Sequence, residues 1–339
     1  MHSKTKKIRL MEVCGTHTMA IARSGIRKLL PPEIELISGP GCPVCVTSQE
    51  DIDRAIEIAR RKDVIMTTFG DMMRVPGNET SFEELKARGA DIRVVYSSLD
   101  ALEAAESNPD KKVVFMGVGF ETTSPAIAAT VLEAKKRKLK NFFILSNFKV
   151  LFPALEVIAR SKKVAIDGFI CPGHVSVITG TAPYKNFVRK FRKPCVITGF
   201  DDRDIVKGIK MLVEQVKNRD PRVEIEYKRV VTEKGNVLAR KKCGKVFSVR
   251  DSVWRGLGKI KKSGLRLKKE FKSFDGEAHF RVKLPKVKKD KGCICGEVLM
   301  GSRSPLECRL FGKVCSPARP VGPCMVSTEG TCAAYYKYR

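Results

Sequence analysis

Two cysteines in a stiff loop are the first residues of this chain that point to chemistry. Cys42 and Cys45 belong to a Gly-Pro-Gly-Cys-Pro-Val-Cys segment at 39–45, which follows an apolar, β-branched run at 34–37. A Cys-x-x-Cys pair supports either reversible disulfide formation or half of a metal site. This pair alone leaves both chemistries open, so the rest of the chain must decide between them.

A cysteine and a histidine lie three positions apart after the first predicted strand. Cys14 and His17 follow the run at 8–13, and their sulfur and nitrogen donors suit joint ligation of one soft or borderline metal. Each also has an ordinary structural explanation, Cys14 as a small buried hydrophobe and His17 as a hydrogen-bonding residue at a helix start. Their occurrence beside other motifs at strand ends favours the functional interpretation.

Two more ionisable residues follow predicted strands. Glu121 comes after the strand at 112–118 and is interpreted as a buried carboxylate, a ligand or a proton carrier, and His174 comes after the strand at 167–171. In open α/β sheets, ligands bind in the crevice beyond the carboxyl ends of the strands. We therefore expect these residues to lie close to Cys14 and to the loop cysteines.

Six of the twelve cysteines are concentrated in a tail that is rich in Gly and Pro. They do not form two Cys-x-x-Cys knuckles, so a structural zinc ribbon fits poorly. One [4Fe-4S] cluster with four ligands and a spare thiol pair would account for all six, and zinc with two idle cysteines is the alternative. Spacing alone does not identify the four ligands. The six are Cys293, Cys295, Cys308, Cys315, Cys324 and Cys332.

The chain alternates short β-branched runs with helical stretches, a pattern typical of parallel sheets with helices on both faces. The alternation restarts after Asn-Pro-Asp at 108–110 and ends near residue 218. We predict an α/β protein with two parallel-sheet lobes that face a central cleft, followed by a Cys-rich iron–sulfur domain. The predicted domains are 1–108, 109–218 and 219–339.

Composition limits the class of protein. A chain of 339 residues with a hydrophobic fraction of 43% is long enough for two or three domains. No apolar run approaches the ~18 residues of a transmembrane helix, and no apolar signal-peptide core follows the start, so we expect a cytoplasmic protein without a membrane partner. In that reducing compartment twelve cysteines favour metal binding, redox chemistry or catalysis over structural disulfides.

The chain is strongly basic, with 65 Lys and Arg against 37 Asp and Glu and a net charge of +28. The excess is concentrated between Lys228 and Lys291, where 22 basic residues face 6 acidic ones. No aromatic-interleaved or helix-turn-helix motif accompanies this region. A solvated basic surface is therefore favoured over a nucleic-acid footprint, and a docking face for an acidic protein partner is an intermediate interpretation.

The motifs together resemble the hydrogenase maturation protein HypD family over almost the whole chain. The resemblance implies two α/β lobes around a cleft and a C-terminal cluster domain. The motifs are CGTH at 14–17, GPGCPVC at 39–45, GFETTSPA at 119–126, PGHVS at 172–176, WRGLG at 254–258, CICGEV at 293–298, FGKVC at 311–315, GPCMVS at 322–327 and EGTCAAYY at 329–336.

The resemblance also implies a function. Members of the family act as a scaffold on which iron receives two cyanides and one carbon monoxide for the [NiFe]-hydrogenase active site. Two partners are implied: a small HypC-type chaperone whose N-terminal cysteine shares the iron, and a HypE-type protein that delivers cyanide as a thiocyanate. Cys14 would be an iron ligand with His17 beside it, and Cys42 and Cys45 a thiol pair close by.

In the tail, the family pattern assigns the cysteines to two groups. The implied [4Fe-4S] ligands are Cys293, Cys308, Cys315 and Cys332. Cys295 and Cys324 are then a second thiol pair. The Lys-rich stretch after Arg240 departs from the family pattern and bears on partner docking.

Releasing cyanide from a thiocyanate requires two electrons, so we expect a path from the cluster to Cys295/Cys324, then to Cys42/Cys45 and the iron at Cys14. Two other classes remain open. A dithiol or Fe–S oxidoreductase acting on protein disulfides would use the same thiols but would not need Cys14 and His17 as a pair. A basic Fe–S nucleic-acid protein would use the positive charge.

Overall fold

The structure is a computed structural model that describes residues 7–284 and 292–338. Residues 1–6, at the start of the chain where no apolar signal-peptide core was expected, lie outside the described residues. The last part of the basic region, 285–291, also lies outside them.

The described residues form eleven strands, numbered β1 to β11 in chain order. Their bounds are Ile8–Glu12, Ile34–Ser38, Val64–Thr68, Ile92–Val94, Lys112–Gly119, Phe142–Phe148, Gly168–Pro172, Cys195–Thr198, Val223–Ile225, Phe247–Trp254 and Gly258–Leu267.

The same residues form sixteen α-helices, α1 to α16. Their bounds are Gly15–Ser24, Ile26–Leu29, Pro43–Val46, Gln49–Ala59, Phe82–Ala87, Ser98–Ser107, Ser124–Lys136, Leu151–Arg160, Gly173–Thr179, Ala182–Phe191, Asp202–Lys217, Val237–Val246, Gly276–His279, Cys295–Leu299, Pro323–Val326 and Thr331–Lys337. Short 3-10 helices span Gly70–Met72, Lys269–Phe274 and Pro305–Glu307.

Two parallel sheets form the body of the protein. The first sheet has the strand order β2-β1-β7-β8-β9, and the second has the order β4-β3-β5-β6. An antiparallel hairpin of β10 and β11 lies beside β6, where Lys149 and Gly264 form an isolated bridge. The predicted α/β class with parallel sheets is confirmed, and a cysteine-rich C-terminal region follows them.

The sheets do not coincide with the predicted domains. In the first sheet β1 pairs with β7, and in the second β3 pairs with β5. The predicted lobes 1–108 and 109–218 therefore each contribute strands to both sheets, and β9 from 219–339 joins the first. The βα alternation indicates where strands occur, but their pairing depends on tertiary packing that periodicity does not contain.

A shared core holds the two sheets together. Adjacent residues of a strand face opposite sides of a sheet, so each strand supplies two layers. Met11 of β1 and Phe143 of β6 belong to one hydrophobic cluster with side chains from both sheets. Their neighbours Leu10 and Phe142 pack on the outer faces. The carboxyl edges of the sheets are therefore fixed relative to each other.

Among the helices of the described ranges, none combines the length and the apolar character that crossing a membrane requires.

Candidate functional site

Cys14 lies at the end of β1 and immediately precedes α1. Burial, and then the carboxylate of Glu329, raise the pKa of Cys14 to about 11. Backbone N–H groups of His17 and Thr16 at the start of α1 donate to the sulfur and act in the opposite direction. Without a metal, the sulfur therefore carries a proton at neutral pH.

His17 lies on the first turn of α1 and is fully buried. Its Nε2 is 2.8 Å from the carbonyl oxygen of Gly199 and 2.9 Å from the hydroxyl of Thr198, both at the end of β8. Because a carbonyl only accepts, Nε2 carries the hydrogen and Nδ1 keeps its lone pair. Nδ1 is buried and has no hydrogen-bond partner in the described part of the chain.

Burial lowers the pKa of His17 to about 4, so its ring is neutral at pH 7. A neutral imidazole with a free lone pair is the form that binds a metal. The structure therefore leaves Nδ1 as the nitrogen of His17 with a lone pair that is free for a metal.

The loop before α3 lies directly against Cys14. Gly15 donates its N–H to the carbonyl oxygen of Gly41 over 3.1 Å. A Cβ at position 41 would overlap the backbone of Cys14, so only glycine permits this approach. The loop thus brings its cysteines to the edge of the sheet where Cys14 lies.

Cys42 and Cys45 are joined by a disulfide, and both are buried. Cys42 precedes α3, with Pro43 at the first helical position, and its sulfur accepts the N–H of Cys45 over 3.1 Å. The sulfur of Cys45 lies 3.9 Å from the carbonyl oxygen of Pro323 in the tail. The two sulfurs therefore have different neighbours, with Cys42 next to the Gly41 loop and Cys45 against the tail.

His174 is at the start of α9, beyond the end of β7, and is exposed. Its ring stacks on Phe200 with centroids 4.0 Å apart, and the ring of His17 contacts the same phenyl group at 4.7 Å. Partial burial lowers the pKa of His174, while Glu329 acts in the opposite direction. The structure thus brings His174 to the same edge as Cys14 and His17.

Glu121 lies at the edge of the second sheet, after β5. Its Oε1 accepts the N–H of Leu151 over 3.0 Å, and its Oε2 is buried without a partner in the described residues. Burial raises the pKa of Glu121 to about 7. Burial also raises the pKa values of Cys243 and Tyr184, and the Glu121 carboxylate adds to both shifts. Its nearby ionisable groups therefore differ from those around Cys14.

Glu329 is a site residue that the sequence did not reveal. Its Oε1 accepts the hydroxyl hydrogen of Thr16 over 2.7 Å, although the two residues are 313 positions apart. Its charge acts on both Cys14 and His174. Glu329 belongs to the EGTC motif, but nothing in its spacing indicates that the tail returns to α1.

The six tail cysteines share one small cavity. Its other walls are apolar and include Val298, Leu310, Phe311 and Met325. In the described ranges no three His, Cys, Asp or Glu side chains converge closely enough to hold a single ion. A cluster spreads its iron atoms, so its ligands stand further apart than those of one ion. Six thiols around an apolar cavity are compatible with the expected cluster, which stays a prediction.

Two of these cysteines are in direct contact. The sulfur of Cys295, at the start of α14, is 3.0 Å from that of Cys324 in α15. Hydrogen bonds with Cys293 and Cys324, and then the positive charge of Arg255, hold the pKa of Cys295 well below its usual range. Hydrogen bonds with Cys295 and Cys332 raise that of Cys324. A contact between one acidic and one weakly acidic thiol suits disulfide exchange.

The tail is held against the second sheet by Asp71. Its Oδ2 accepts the hydroxyl of Ser327 over 3.0 Å and the backbone N–H and hydroxyl of Thr328 at 3.3 Å. These bonds fix the segment that carries Cys324 and Glu329. The loop disulfide and the tail cysteines therefore belong to one packed unit.

Comparison with known proteins identifies the family of this chain. The family model HypD, described as "Hydrogenase formation hypA family", matches residues 1–339. The chain belongs to the HypD family.

Named relatives within this family are similar over nearly their full lengths. The hydrogenase maturation factor HypD of Escherichia coli (strain K12) is 47% identical over 339 residues, which cover 100% of this chain and 91% of the relative. A putative hydrogenase expression/formation protein of Methanocaldococcus jannaschii is 46% identical over 336 residues, or 99% and 93% of the two chains. The HypD of Cupriavidus necator is 45% identical over 341 residues, or 98% and 90%.

Two groups of residues result from this HypD-family fold. One lies at the edge of the first sheet and contains Cys14, His17, His174 and the loop pair, with Glu329 added by the tail. The other is the tail cavity with its six cysteines. Glu121 lies at the edge of the second sheet and makes no contact with Cys14 among the described residues, so its predicted role beside Cys14 stays a prediction.

Proposed function

We propose that this chain is a hydrogenase maturation factor on which iron receives two cyanides and one carbon monoxide. Iron and its diatomic ligands are substrates in this proposal. The observation that carries it is the contact between Cys45 and Pro323, which joins the loop disulfide at the Cys14 edge to the thiol pair of the tail.

Iron would be held by the sulfur of Cys14 and by Nδ1 of His17. Both atoms lie at the start of α1, and the imidazole is already neutral and oriented by Gly199 and Thr198. Two protein donors leave coordination positions for diatomic ligands and for a partner. A HypC-type chaperone would supply a further thiolate, which fits a site that is incomplete in one chain.

The loop pair would supply the electrons for each cyanide. A HypE-type thiocyanate and the reduced Cys42/Cys45 pair would yield a free thiol on the donor, cyanide, one proton and the Cys42–Cys45 disulfide. Two thiols lose two electrons and two protons, and the sulfur–carbon bond gains the two electrons. Cyanide is thereby released beside Cys14.

The tail pair would then restore the loop pair. A thiolate of Cys295/Cys324 attacks the sulfur of Cys45, the sulfur that faces the tail, and Cys42 leaves as a thiolate. The second tail thiolate breaks this mixed disulfide, so Cys45 is released and Cys295 and Cys324 become joined. Both loop cysteines then take up protons, and two electrons have moved toward the iron.

A [4Fe-4S] cluster on Cys293, Cys308, Cys315 and Cys332 would supply single electrons next to the tail pair. The apolar cavity lined by these residues supports this assignment. The alternative function, an oxidoreductase that acts on protein disulfides, would use the same thiols but would not need Cys14 and His17 as a pair. The neutral imidazole of His17, held by Gly199 and Thr198 one turn from Cys14, favours the iron scaffold over this alternative.

The test is infrared spectroscopy of the protein purified without oxygen together with its HypC-type chaperone. We expect absorption bands of iron-bound cyanide and carbon monoxide in the unaltered protein. Cys42→Ala should abolish these bands and leave the absorption of the cluster unchanged. Cys243→Ala, which removes a thiol beside Ser124, is the matched control and should keep the bands. Persistence of the bands in Cys42→Ala would refute the proposed use of the loop pair.

A further inference from the structure

The WRGLG motif has no part in the function proposed so far, although it lies between the two thiol pairs. It forms the turn of the hairpin, between the end of β10 at Trp254 and the start of β11 at Gly258. Trp254 is fully buried and forms an isolated antiparallel bridge with Thr47, the residue that follows α3. The turn is therefore attached to the helix that carries the loop cysteines.

Arg255 makes this attachment through three donors. Its backbone N–H donates to the carbonyl oxygen of Val46 over 2.9 Å, and its Nε donates to that of Thr47 over 3.1 Å. Its Nη2 donates to the side-chain oxygen of Gln49 over 3.1 Å. The last carbonyl groups of a helix have no partner within the helix, so Arg255 satisfies the end of α3. One residue thus fixes where α3 ends relative to the hairpin.

The next residue, Gly256, holds the turn against the helix that begins with Cys295. Gly256 has a φ of +79°, and its Cα lies 2.8 Å from the place where a Cβ at Gly296 would be. A side chain at either position would therefore separate the turn from α14. Gly296 directly follows Cys295, so the turn touches the helix that carries one sulfur of the tail pair. Arg255 and Gly256 together bridge the two thiol-bearing helices.

We propose that Arg255 is a positioning residue that sets the separation between the Cys42/Cys45 disulfide and the Cys295/Cys324 pair. This inference rests on the thiol relay proposed above. Disulfide exchange requires the attacking sulfur to approach the disulfide along a defined direction, so small displacements of α3 change its rate. In this exchange two electrons pass from the tail thiols to the loop disulfide.

The test compares Arg255→Ala and Arg255→Lys with Arg250→Ala in the full chain, with its cluster, under anaerobic conditions. Arg250 is a partly buried arginine of the same hairpin that donates to Glu277 and to the carbonyl oxygen of Ser146, away from the turn. The tail is reduced by a photoreduced deazaflavin, and thiol alkylation followed by mass spectrometry measures how fast Cys42 and Cys45 become reduced.

We expect Arg255→Ala to slow the reduction of the loop disulfide at least about tenfold, while the absorption of the cluster stays unchanged. Arg255→Lys keeps the charge but loses the planar fork, and it should give an intermediate rate. Arg250→Ala should stay within about twofold of the unaltered protein, as its contacts lie elsewhere.

The outcomes separate this inference from the function on which it rests. If the unaltered protein does not transfer electrons to the loop disulfide, the proposed thiol relay is wrong, and the proposed role of Arg255 is wrong as well. If the unaltered protein transfers them and both Arg255 variants do so at the same rate, only the positioning role is wrong. If Arg255→Ala fails to fold, Arg255→Lys decides, since a rate equal to that of the unaltered protein overturns the inference.

Discussion

The carboxyl edges of the two sheets have the same parallel topology, but different segments cover the groups that follow β1 and those that follow β5. The tail returns over the first edge, where Glu329 bonds Thr16 beside Cys14. Over the second edge α12 packs against the start of α7, with the sulfur of Cys243 3.4 Å from the hydroxyl of Ser124.

This difference shows that the position of a site and its chemistry are determined by different parts of the structure. Parallel strands determine that loops and helix starts gather at one edge of each sheet. The segment that covers the edge decides which groups meet there. At the first edge sulfur and nitrogen donors meet a carboxylate, whereas at the second edge a single carboxylate, Glu121, is enclosed with an unpartnered oxygen among the described residues.

The largest effect on stability is expected from a side chain placed between the loop and Cys14 at the first edge. Gly41→Ala places a Cβ on the backbone of Cys14 and should lower the free energy of unfolding by about 3 kcal/mol. Gly244→Ala, in the helix that covers the second edge, meets no atom within 4 Å and should raise it by about 0.5 kcal/mol. Urea unfolding under reducing conditions measures both. Equal stabilities would contradict the close approach of the loop.

A second effect on stability, similar in size at pH 8 and smaller at lower pH, is expected at the second edge. The pKa of Glu121 is raised from 4.5 to about 7, so the folded protein binds a proton that the unfolded chain releases. Stability is then lost as pH rises through this window, and Glu121→Gln avoids the loss. The variant should exceed the unaltered protein by about 3 kcal/mol at pH 8 and nearly match it at pH 4.5.

The control for this experiment is Glu103→Gln on the exposed side of α6, which removes the same charge at the surface. Urea unfolding at several pH values measures the difference. A constant difference between Glu121→Gln and the unaltered protein across this range would show that folding does not raise the pKa of Glu121.

The smallest effect concerns the carboxylate that the tail adds to the first edge. Burial and then Glu329 raise the pKa of Cys14 to about 11, so Glu329→Gln removes the second cause and should lower that pKa by about one unit. The pH dependence of Cys14 alkylation in iron-free protein measures the shift. Glu297→Gln, on the exposed start of α14, should leave the profile in place. An unshifted profile in Glu329→Gln would remove Glu329 from the surroundings of Cys14.

The sequence predicted the groups that depend on local structure. Cys14 and the loop cysteines follow strands whose β-branched residues are evident, and glycine and proline mark the loop between them. The alternation of strands and helices predicts a parallel sheet. In such a sheet Cys14 and the loop cysteines lie at the same edge. Cys295 and Cys324 are in contact, and their role as a thiol pair stays a prediction implied by the family resemblance.

Contacts between distant segments were not predictable in the same way. Glu329 reaches Thr16 only because the tail folds back, and no local pattern records that return. The domain boundary at residue 108 failed to match the sheets for the same reason, since β1 pairs with β7 rather than with the strands of its own predicted lobe. The hydrogen bond from Arg255 to the carbonyl oxygen of Thr47 also joins residues more than two hundred positions apart.

The bond between Thr16 and Glu329 has a consequence for the order of events during synthesis. A ribosome releases the amino end first, so Cys14 and His17 leave it long before the residue that completes their surroundings. Glu329 is translated 313 residues after Thr16, so the chain holds its cysteine long before it holds the carboxylate. A chain that stops before Glu329 thus has Cys14 without the carboxylate that raises its pKa.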